Sequence, residues 1–179
     1  MEVQRDFSEF LASLNGAGVE YLVVGAYALA VHGAPRNTLD LDVYLRPTAA
    51  NAARFVTALE RFGFGSLGVR VSDLTVPGRI LQLGRAPVRI DVLTSISGVT
   101  WLTAWRGRLA GRYGPTPVLY IGRRELLRNK RASGRAKDLG DVEALTRRQP
   151  SIRQFVNPSM SSVPRFPTRR SRRRARSRE

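Results

Sequence analysis

The chain has 179 residues, with 30 Lys and Arg against 14 Asp and Glu, and a formal net charge of +16. One domain with a tail fits this length, and 42% apolar residues exclude a fully disordered chain. The lack of cysteine excludes disulfides and thiolate metal sites, and the single histidine, His32, excludes a His-rich site. No apolar run could span a bilayer, and the N-terminus lacks the apolar core of a signal peptide. We therefore expect a soluble, cytoplasmic protein with a polyanionic partner.

The positive charge is concentrated at the C-terminus. Half of the excess lies in residues 150–179, which are rich in Pro, Ser and Arg and show no apolar periodicity. This composition predicts a disordered tail after a folded domain of residues 1–149. The tail is consistent with a nucleic-acid-binding arm and equally with an incidental, solubilising extension.

Helical and strand patterns alternate between residues 5 and 147. The predicted helices cover residues 5–14, 26–33, 48–62 (with Thr48 as N-cap), 100–106, 123–131 and 137–147. The predicted strands cover residues 20–24, 39–45, 79–83, 88–93, 108–113 and 117–121, with a hairpin turn at 84–87. This mixture predicts an α/β or α+β class, with a small mixed sheet flanked by helices.

Three aspartates on two predicted strands carry the candidate chemistry. Asp40 and Asp42 alternate with apolar residues, so both point to one face of the strand, about 7 Å apart along the backbone. Asp91 has the same placement on strand 88–93. Aspartate is disfavoured in strands, and three neighbouring carboxylates suit one or two Mg²⁺ ions that also bind substrate phosphates. The alternatives are a solvated strand face and, for Asp91, an ion pair with Arg89.

Several other residues could contact a nucleotide. Gly25 follows an apolar strand and precedes a helix whose backbone N–H groups could bind phosphate, although such a glycine can also simply turn the chain. Thr94 and Ser95 could donate hydrogen bonds to phosphate or ribose, or else cap the next helix. Lys130 and Lys137 are the only lysines in an arginine-rich chain. They are candidates for phosphate contacts or for a solvated helix face.

These motifs, in this order, resemble the nucleotidyltransferase superfamily related to DNA polymerase beta. They are most similar to the small bacterial proteins of the AbiEii/MenT toxin type and to the minimal nucleotidyltransferases. The resemblance covers YLVVGAYALAVHGAPRNTLDLDVYL (21–45), VRIDVLTSISGVTWLTAW (88–105) and IGRRELLRNKRASGRAKDLGDVEAL (121–145). It implies a nucleotidyltransferase-like fold over nearly all of residues 5–147.

The resemblance also assigns roles by position. It implies that the three aspartates bind Mg²⁺ and act in catalysis, with Asp91 as the base, and that Gly25 precedes the nucleotide-holding helix. It implies that Lys130 meets the nucleotide phosphates and that Lys137 and Asp138 form a Lys-Asp pair of the last helix. The family often has Gly-Ser or Gly-Gly in its first motif, whereas this chain has Ala26, which brings no hydroxyl to a triphosphate.

The activity implied by the resemblance is transfer of an NMP from an NTP to an acceptor hydroxyl. The implied acceptor is tRNA or a protein, in a toxin–antitoxin or phage-defence setting with a cognate antitoxin as partner. An antibiotic-modifying nucleotidyltransferase is the alternative within this class. The alternative from another class is a non-catalytic module of the same fold, which would bind RNA or an acidic protein through its basic surface and tail.

Overall fold

The computed structural model describes residues 3–85 and 88–147, which form six helices around one six-stranded sheet. The strands are β1 (Tyr21–Val23), β2 (Asp40–Leu45), β3 (Ile80–Arg85), β4 (Val88–Leu93), β5 (Leu109–Tyr113) and β6 (Thr116–Tyr120). The helices are α1 (Arg5–Gly16), α2 (Gly25–Val31), α3 (Ala49–Leu59), α4 (Trp101–Arg106), α5 (Arg123–Ser133) and α6 (Ala136–Arg147). The mixed α/β class predicted from the sequence is confirmed. No helix among these is long and apolar enough to cross a membrane.

The sheet is mixed, and its strand order is β3-β4-β2-β1-β6-β5. Strands β2 and β4 are parallel neighbours, as are β1 and β6, while β1 runs antiparallel to β2. The hairpins β3–β4 and β5–β6 form the two edges. The two strands that carry the predicted aspartates therefore lie side by side in the middle of the sheet.

The alternation in β2 separates a core face from a polar face. Leu41, Val43 and Leu45 are completely buried, whereas Asp40 and Asp42 on the other face are only partly covered. The core is completed by helices α1 and α3, where Phe10 packs edge-to-face against Phe55 with ring centroids 6.4 Å apart. Each such buried side chain contributes roughly 1.5–3 kcal/mol of transfer free energy.

Buried Asn51 connects helix α3 to the sheet. Its side-chain amide donates to the carbonyl oxygens of Glu20, at 2.9 Å, and Arg46, at 3.1 Å, and its Oδ1 accepts from the backbone N–H of Glu20 at 2.8 Å. The amide group is thus engaged with backbone at the ends of β1 and β2. Buried polar groups are tolerated when they are satisfied in this way.

The helix expected over residues 48–62 is α-helical to Leu59 and continues as a π-helical turn (Glu60–Phe64), within which Gly63 adopts φ 95°. A left-handed glycine of this kind interrupts a helix that would otherwise continue. The helical backbone thus ends where the sequence predicted, and the region differs from the prediction only at its N-cap. Thr48 occupies the N-cap position, but its side chain makes no capping hydrogen bond. The predicted tail of residues 150–179, and residues 86 and 87 of the predicted hairpin turn, lie outside the described residues.

Candidate functional site

The register between β2 and β4 brings the three predicted carboxylates together. Asp42 lies directly opposite Asp91, and Asp40 lies opposite Arg89. Because paired residues on adjacent strands point to the same face, all four side chains share the polar face of the sheet. Three acidic groups from two strands thus meet in one place.

Gly25, at the start of α2, makes room for the carboxylate of Asp42. A Cβ atom at this position would lie 1.9 Å from Oδ2 of Asp42, and Gly25 has a φ of +62°. Both the close approach and the left-handed backbone require glycine. The neighbouring Ala26 is buried, so a small side chain fits there. The predicted first motif therefore contacts the predicted carboxylate motif directly.

Arg89 engages two of the three carboxylates. Its Nη2 donates to Oδ2 of Asp40 at 2.7 Å and to Oδ2 of Asp91 at 3.1 Å, and its Nε lies 3.0 Å from Oδ1 of Asp91. The hydroxyl of Thr38 donates to the other oxygen of Asp40. The carboxylate of Asp42, in contrast, has no hydrogen-bond or ion-pair partner among the described side chains.

Among the three aspartates, Asp42 has the most strongly raised pKa. Burial, together with the negative charges of Asp40 and Asp91, raises the pKa of Asp42 to about 6. The positive charges of Lys130 and Arg36 oppose this rise without cancelling it. An anion with a raised pKa and no cationic partner in contact is one that an added cation would stabilise.

The other two aspartates are affected differently by their surroundings. Burial raises the pKa of Asp91, and the adjacent Arg89 only partly offsets that rise. Burial would also raise the pKa of Asp40, but the hydrogen bond from Thr38 and the charge of Arg89 hold it below its ordinary value. The cluster therefore contains both a carboxylate that stays ionised and two that take up a proton more readily.

A second, buried ionic cluster lies behind the carboxylates. Nζ of Lys130 lies 2.6 Å from Oδ1 of Asp138 and 2.9 Å from Oδ2 of Asp141. Arg135 and Arg36 complete the cluster, with Nε 2.6 Å from Asp138 and 3.0 Å from Asp141 respectively. These contacts join α5, α6 and the turn after α2. Removing one partner from such a buried cluster typically costs about 3–5 kcal/mol.

The second cluster determines what Lys130 can do. Lys130 is predicted to meet nucleotide phosphates, yet its side chain is only 6% exposed and is held by Asp138 and Asp141. Burial opposes ionisation of Asp138, but its hydrogen bonds from Lys130 and Arg135 bring its pKa well below the ordinary value. Lys130 nevertheless acts on the carboxylate site through its field, which lowers the pKa of Asp42.

A cavity of about 380 Å³ opens beside Asp40, the one of the three aspartates that lines it. This volume lies in the range of small-molecule sites. Both Arg89 and Lys137 line it, so one of the two predicted phosphate-binding lysines reaches the cavity. The full lining consists of Asn37, Thr38, Leu39, Asp40, Arg89 and Lys137.

Thr94 and Ser95, two of the predicted nucleotide-binding residues, hydrogen-bond to the loop before β3. Thr94 is buried, and its hydroxyl donates to the carbonyl oxygen of Val76 at 2.7 Å and accepts from the backbone N–H of Arg79 at 3.0 Å. Ser95 accepts from the backbone N–H of Gly78 at 2.8 Å. Both hydroxyls hold residues 76–79 against the end of β4, and neither lines the cavity beside Asp40. Their predicted contact with a nucleotide stays a prediction.

The sequence interpretation overlooked Thr38 and Arg36, and considered Arg89 only as a surface partner of Asp91. A signal existed for Arg89, which lies two residues before Asp91 and so shares its strand face. Thr38 lies in the loop before β2, so strand alternation does not place it. Arg36 had no comparable signal, since its partner Asp141 is distant in sequence. His32 is buried, and its Nε2 is 2.8 Å from the carbonyl oxygen of Ile121.

The donor chemistry of the cluster fits a hard divalent cation. Within residues 3–85 and 88–147, no three His, Asp or Glu side chains form a ready-made metal site. Two of the three carboxylates are instead engaged by Arg89. The carboxylate oxygens are the ligands Mg²⁺ prefers, and the space above Gly25 accommodates Oδ2 of Asp42. Burial, together with the charges of the other two aspartates, raises the pKa of Asp42, and a cation at this position would offset both effects.

No protein-family model matches this chain, and no curated protein matches it either. We therefore infer the function from the geometry of the site.

Substituting Gly25 by Ala should disrupt the site beyond ordinary backbone strain. Gly18 has a similar φ of +65°, but a Cβ added there would have no atom within 4 Å, so Gly18→Ala is the matched control. Both variants impose the left-handed penalty of about 1–2 kcal/mol, and only Gly25→Ala adds the clash with Asp42. We expect chemical denaturation to give a larger loss of unfolding free energy for Gly25→Ala. Equal losses would contradict the close approach.

The raised pKa of Asp42 predicts a specific pH dependence of stability. A carboxyl whose pKa is raised on folding contributes stability that is present below its ordinary pKa and is lost as the pH rises through about 6. Relative to wild type, Asp42→Asn should therefore gain about 2–3 kcal/mol of unfolding free energy between pH 4 and pH 7. Urea unfolding at several pH values measures this difference, and a constant difference would contradict the raised pKa.

Proposed function

We propose that this domain is a metal-dependent nucleotidyltransferase, which moves an NMP from an NTP to an acceptor hydroxyl. The observation that carries the proposal is the register of β2 and β4, which sets Asp42 opposite Asp91 with Asp40 beside them. Phosphoryl chemistry needs mainly positioning and charge neutralisation, and a compact carboxylate cluster beside a cavity is suited to both. The sequence resemblance points to the same activity.

In the proposed reaction, each side chain of the site would have a distinct role. Asp40 and Asp42, with Asp91, would hold Mg²⁺, which supplies charge neutralisation to a bound triphosphate. The raised pKa of Asp91 suits it to accept the proton of the acceptor hydroxyl. The acceptor oxygen then bonds to the α-phosphorus, the bond from the α-phosphorus to the bridging oxygen breaks, and pyrophosphate leaves. Lys137, which lines the cavity, would face the phosphates.

The biological setting is part of the proposal. On the resemblance, the acceptor would be a tRNA or a protein in a toxin–antitoxin or defence system, with a cognate antitoxin as partner.

Label transfer from α-³²P-NTPs tests the proposed activity. The full chain is incubated with Mg²⁺ and each NTP, with tRNA or the protein itself as acceptor. We expect transfer by wild type and a loss of about 100-fold or more in Asp42→Asn, because a metal ligand contributes several kcal/mol to the transition state. Asp73→Asn, which removes an exposed carboxylate from the loop before β3, is the control and should retain activity.

The assay has an outcome that excludes the enzyme. If wild type neither transfers label nor binds Mg²⁺-NTP, while it still binds RNA, the domain is not a nucleotidyltransferase. Transfer that persists at wild-type level in Asp42→Asn would show that the activity resides elsewhere.

A second candidate, an RNA-binding module, is favoured by a row of arginines on α5. Arg124, Arg128 and Arg131 are exposed and recur at helical spacing, and we call them the arginine stripe. Arg106 of α4 shares a cavity of about 320 Å³ with Arg124. The single acid of residues 101–135 is the buried Glu125, whose Oε1 lies 3.9 Å from Nε of Arg124. Within that segment, Arg128 and Arg131 have no carboxylate partner. Such a surface attracts phosphate backbones through counterion release.

The salt dependence of RNA binding tests the arginine stripe. Neutralising all three arginines to Gln should lower the slope of log K against log salt by about 2 for a single strand, since each phosphate contact contributes about 0.7. Fluorescence anisotropy on the full chain measures this slope. The control removes three exposed arginines outside α5 in one variant: Arg61→Gln, Arg79→Gln and Arg85→Gln. An equal decrease in both variants would mean that only total charge matters.

A further inference from the structure

Arg89 lies where a cation is needed. It precedes Asp91 by two residues on β4 and pairs in register with Asp40 on β2, so the strand pairing alone directs its side chain into the carboxylate cluster. Its guanidinium then contacts oxygens of both aspartates, at 2.7 Å and 3.0 Å. The same oxygens are the ones that a metal ion would require.

The chemistry of the guanidinium determines how these contacts can be broken. Its planar fork suits two carboxylates at once, which a lysine ammonium would match less well. Arginine keeps its charge at any physiological pH, so loss of its proton cannot release the aspartates. The side chain is 40% exposed and lines the cavity with Lys137, which leaves it room to move. Release of the two aspartates therefore requires another cation to take the place of the guanidinium.

We propose that Arg89 is the resident counter-ion of the carboxylate cluster, and that a divalent cation binds only when the guanidinium leaves Asp40 and Asp91. The proposal rests on the proposed function in one respect: the cation that displaces Arg89 is the one that accompanies an NTP. The released guanidinium remains beside the cavity, where the phosphates of that NTP would give it a new anionic partner. Arg89 is thus a positioning residue that couples metal binding to triphosphate binding.

This role differs from that of a surface ion pair in one measurable way. If Arg89 only stabilised the sheet, its removal would weaken the site and every ligand that depends on the site. If Arg89 competes with the metal, its removal must strengthen metal binding. An increase in affinity is not expected from a structural defect.

Titration with Mn²⁺ alone, followed by EPR or calorimetry on the full chain, tests the proposal. Arg89→Gln should bind Mn²⁺ about tenfold more tightly than wild type, because a competing positive charge in contact with two ligands is removed. Arg85→Gln, on the neighbouring strand β3, removes a nearby exposed charge that pairs with no described carboxylate, and it should bind as wild type does. Asp42→Asn combined with Arg89→Gln should abolish the gain.

A second variant covers the case in which Arg89→Gln does not fold without metal. Arg89→Lys keeps the charge but loses the fork, so it should bind Mn²⁺ more tightly than wild type and less tightly than Arg89→Gln. Thermal unfolding in chelator, and again with Mn²⁺, should show a larger metal-induced rise in Tm for Arg89→Gln than for wild type. This increase in Tm can be measured even when the metal-free variant is only marginally stable.

The outcomes separate this proposal from the proposed function. If Arg89→Gln and Arg89→Lys bind Mn²⁺ no more tightly than wild type, Arg89 is not the counter-ion, even where wild type transfers label. If Arg89→Gln gains Mn²⁺ affinity while wild type transfers no label to any acceptor, the counter-ion role stands and the nucleotidyltransferase proposal fails.

Discussion

The parallel pairing of β2 with β4 is the constraint on which the site depends. It places Asp42 opposite Asp91 and Asp40 opposite Arg89, and so concentrates three carboxylates on one sheet face. Like charges at this spacing repel, and burial strengthens the repulsion. Burial first, and then the charges of Asp40 and Asp91, accordingly raise the pKa of Asp42. A protein that keeps such a cluster must supply positive charge from elsewhere.

The surrounding structure supplies that positive charge both by direct contact and at longer range. Arg89 contacts two of the aspartates directly, while Lys130 and Arg36 act on Asp42 through their fields. Lys130 is itself fixed by buried carboxylates of α6, which orders the helices behind the site. Asp42, the one member without a partner among the described side chains, lies against Gly25. The positive charge in contact with the cluster therefore comes from Arg89, and Asp42 receives no direct share of it.

Local patterns in the sequence were sufficient for the elements and for the three aspartates. Period-two alternation placed Asp40 and Asp42 on one face, and the same rule applied to Arg89 would have placed it beside Asp91. Pairing between distant elements was beyond reach: neither the contact of Arg36 with Asp141 nor the anchoring of Thr94 to residues 76–79 has a local signal. The predicted end of the helix near Phe62 agrees with the structure, because a π-helical turn (Glu60–Phe64) continues α3 and Gly63 is the residue that leaves the helical conformation.

Anomalous diffraction from crystals of the full chain grown with Mn²⁺ and a non-hydrolysable NTP analogue tests the central claim most directly. The claim is that the carboxylate cluster is a cation site which Arg89 fills until a metal replaces it. We predict a manganese peak bonded to Asp42 and to at least one of Asp40 and Asp91, with the guanidinium of Arg89 moved toward the phosphates. A guanidinium still seated on Asp40 and Asp91, with no manganese peak beside Asp42, would contradict the account.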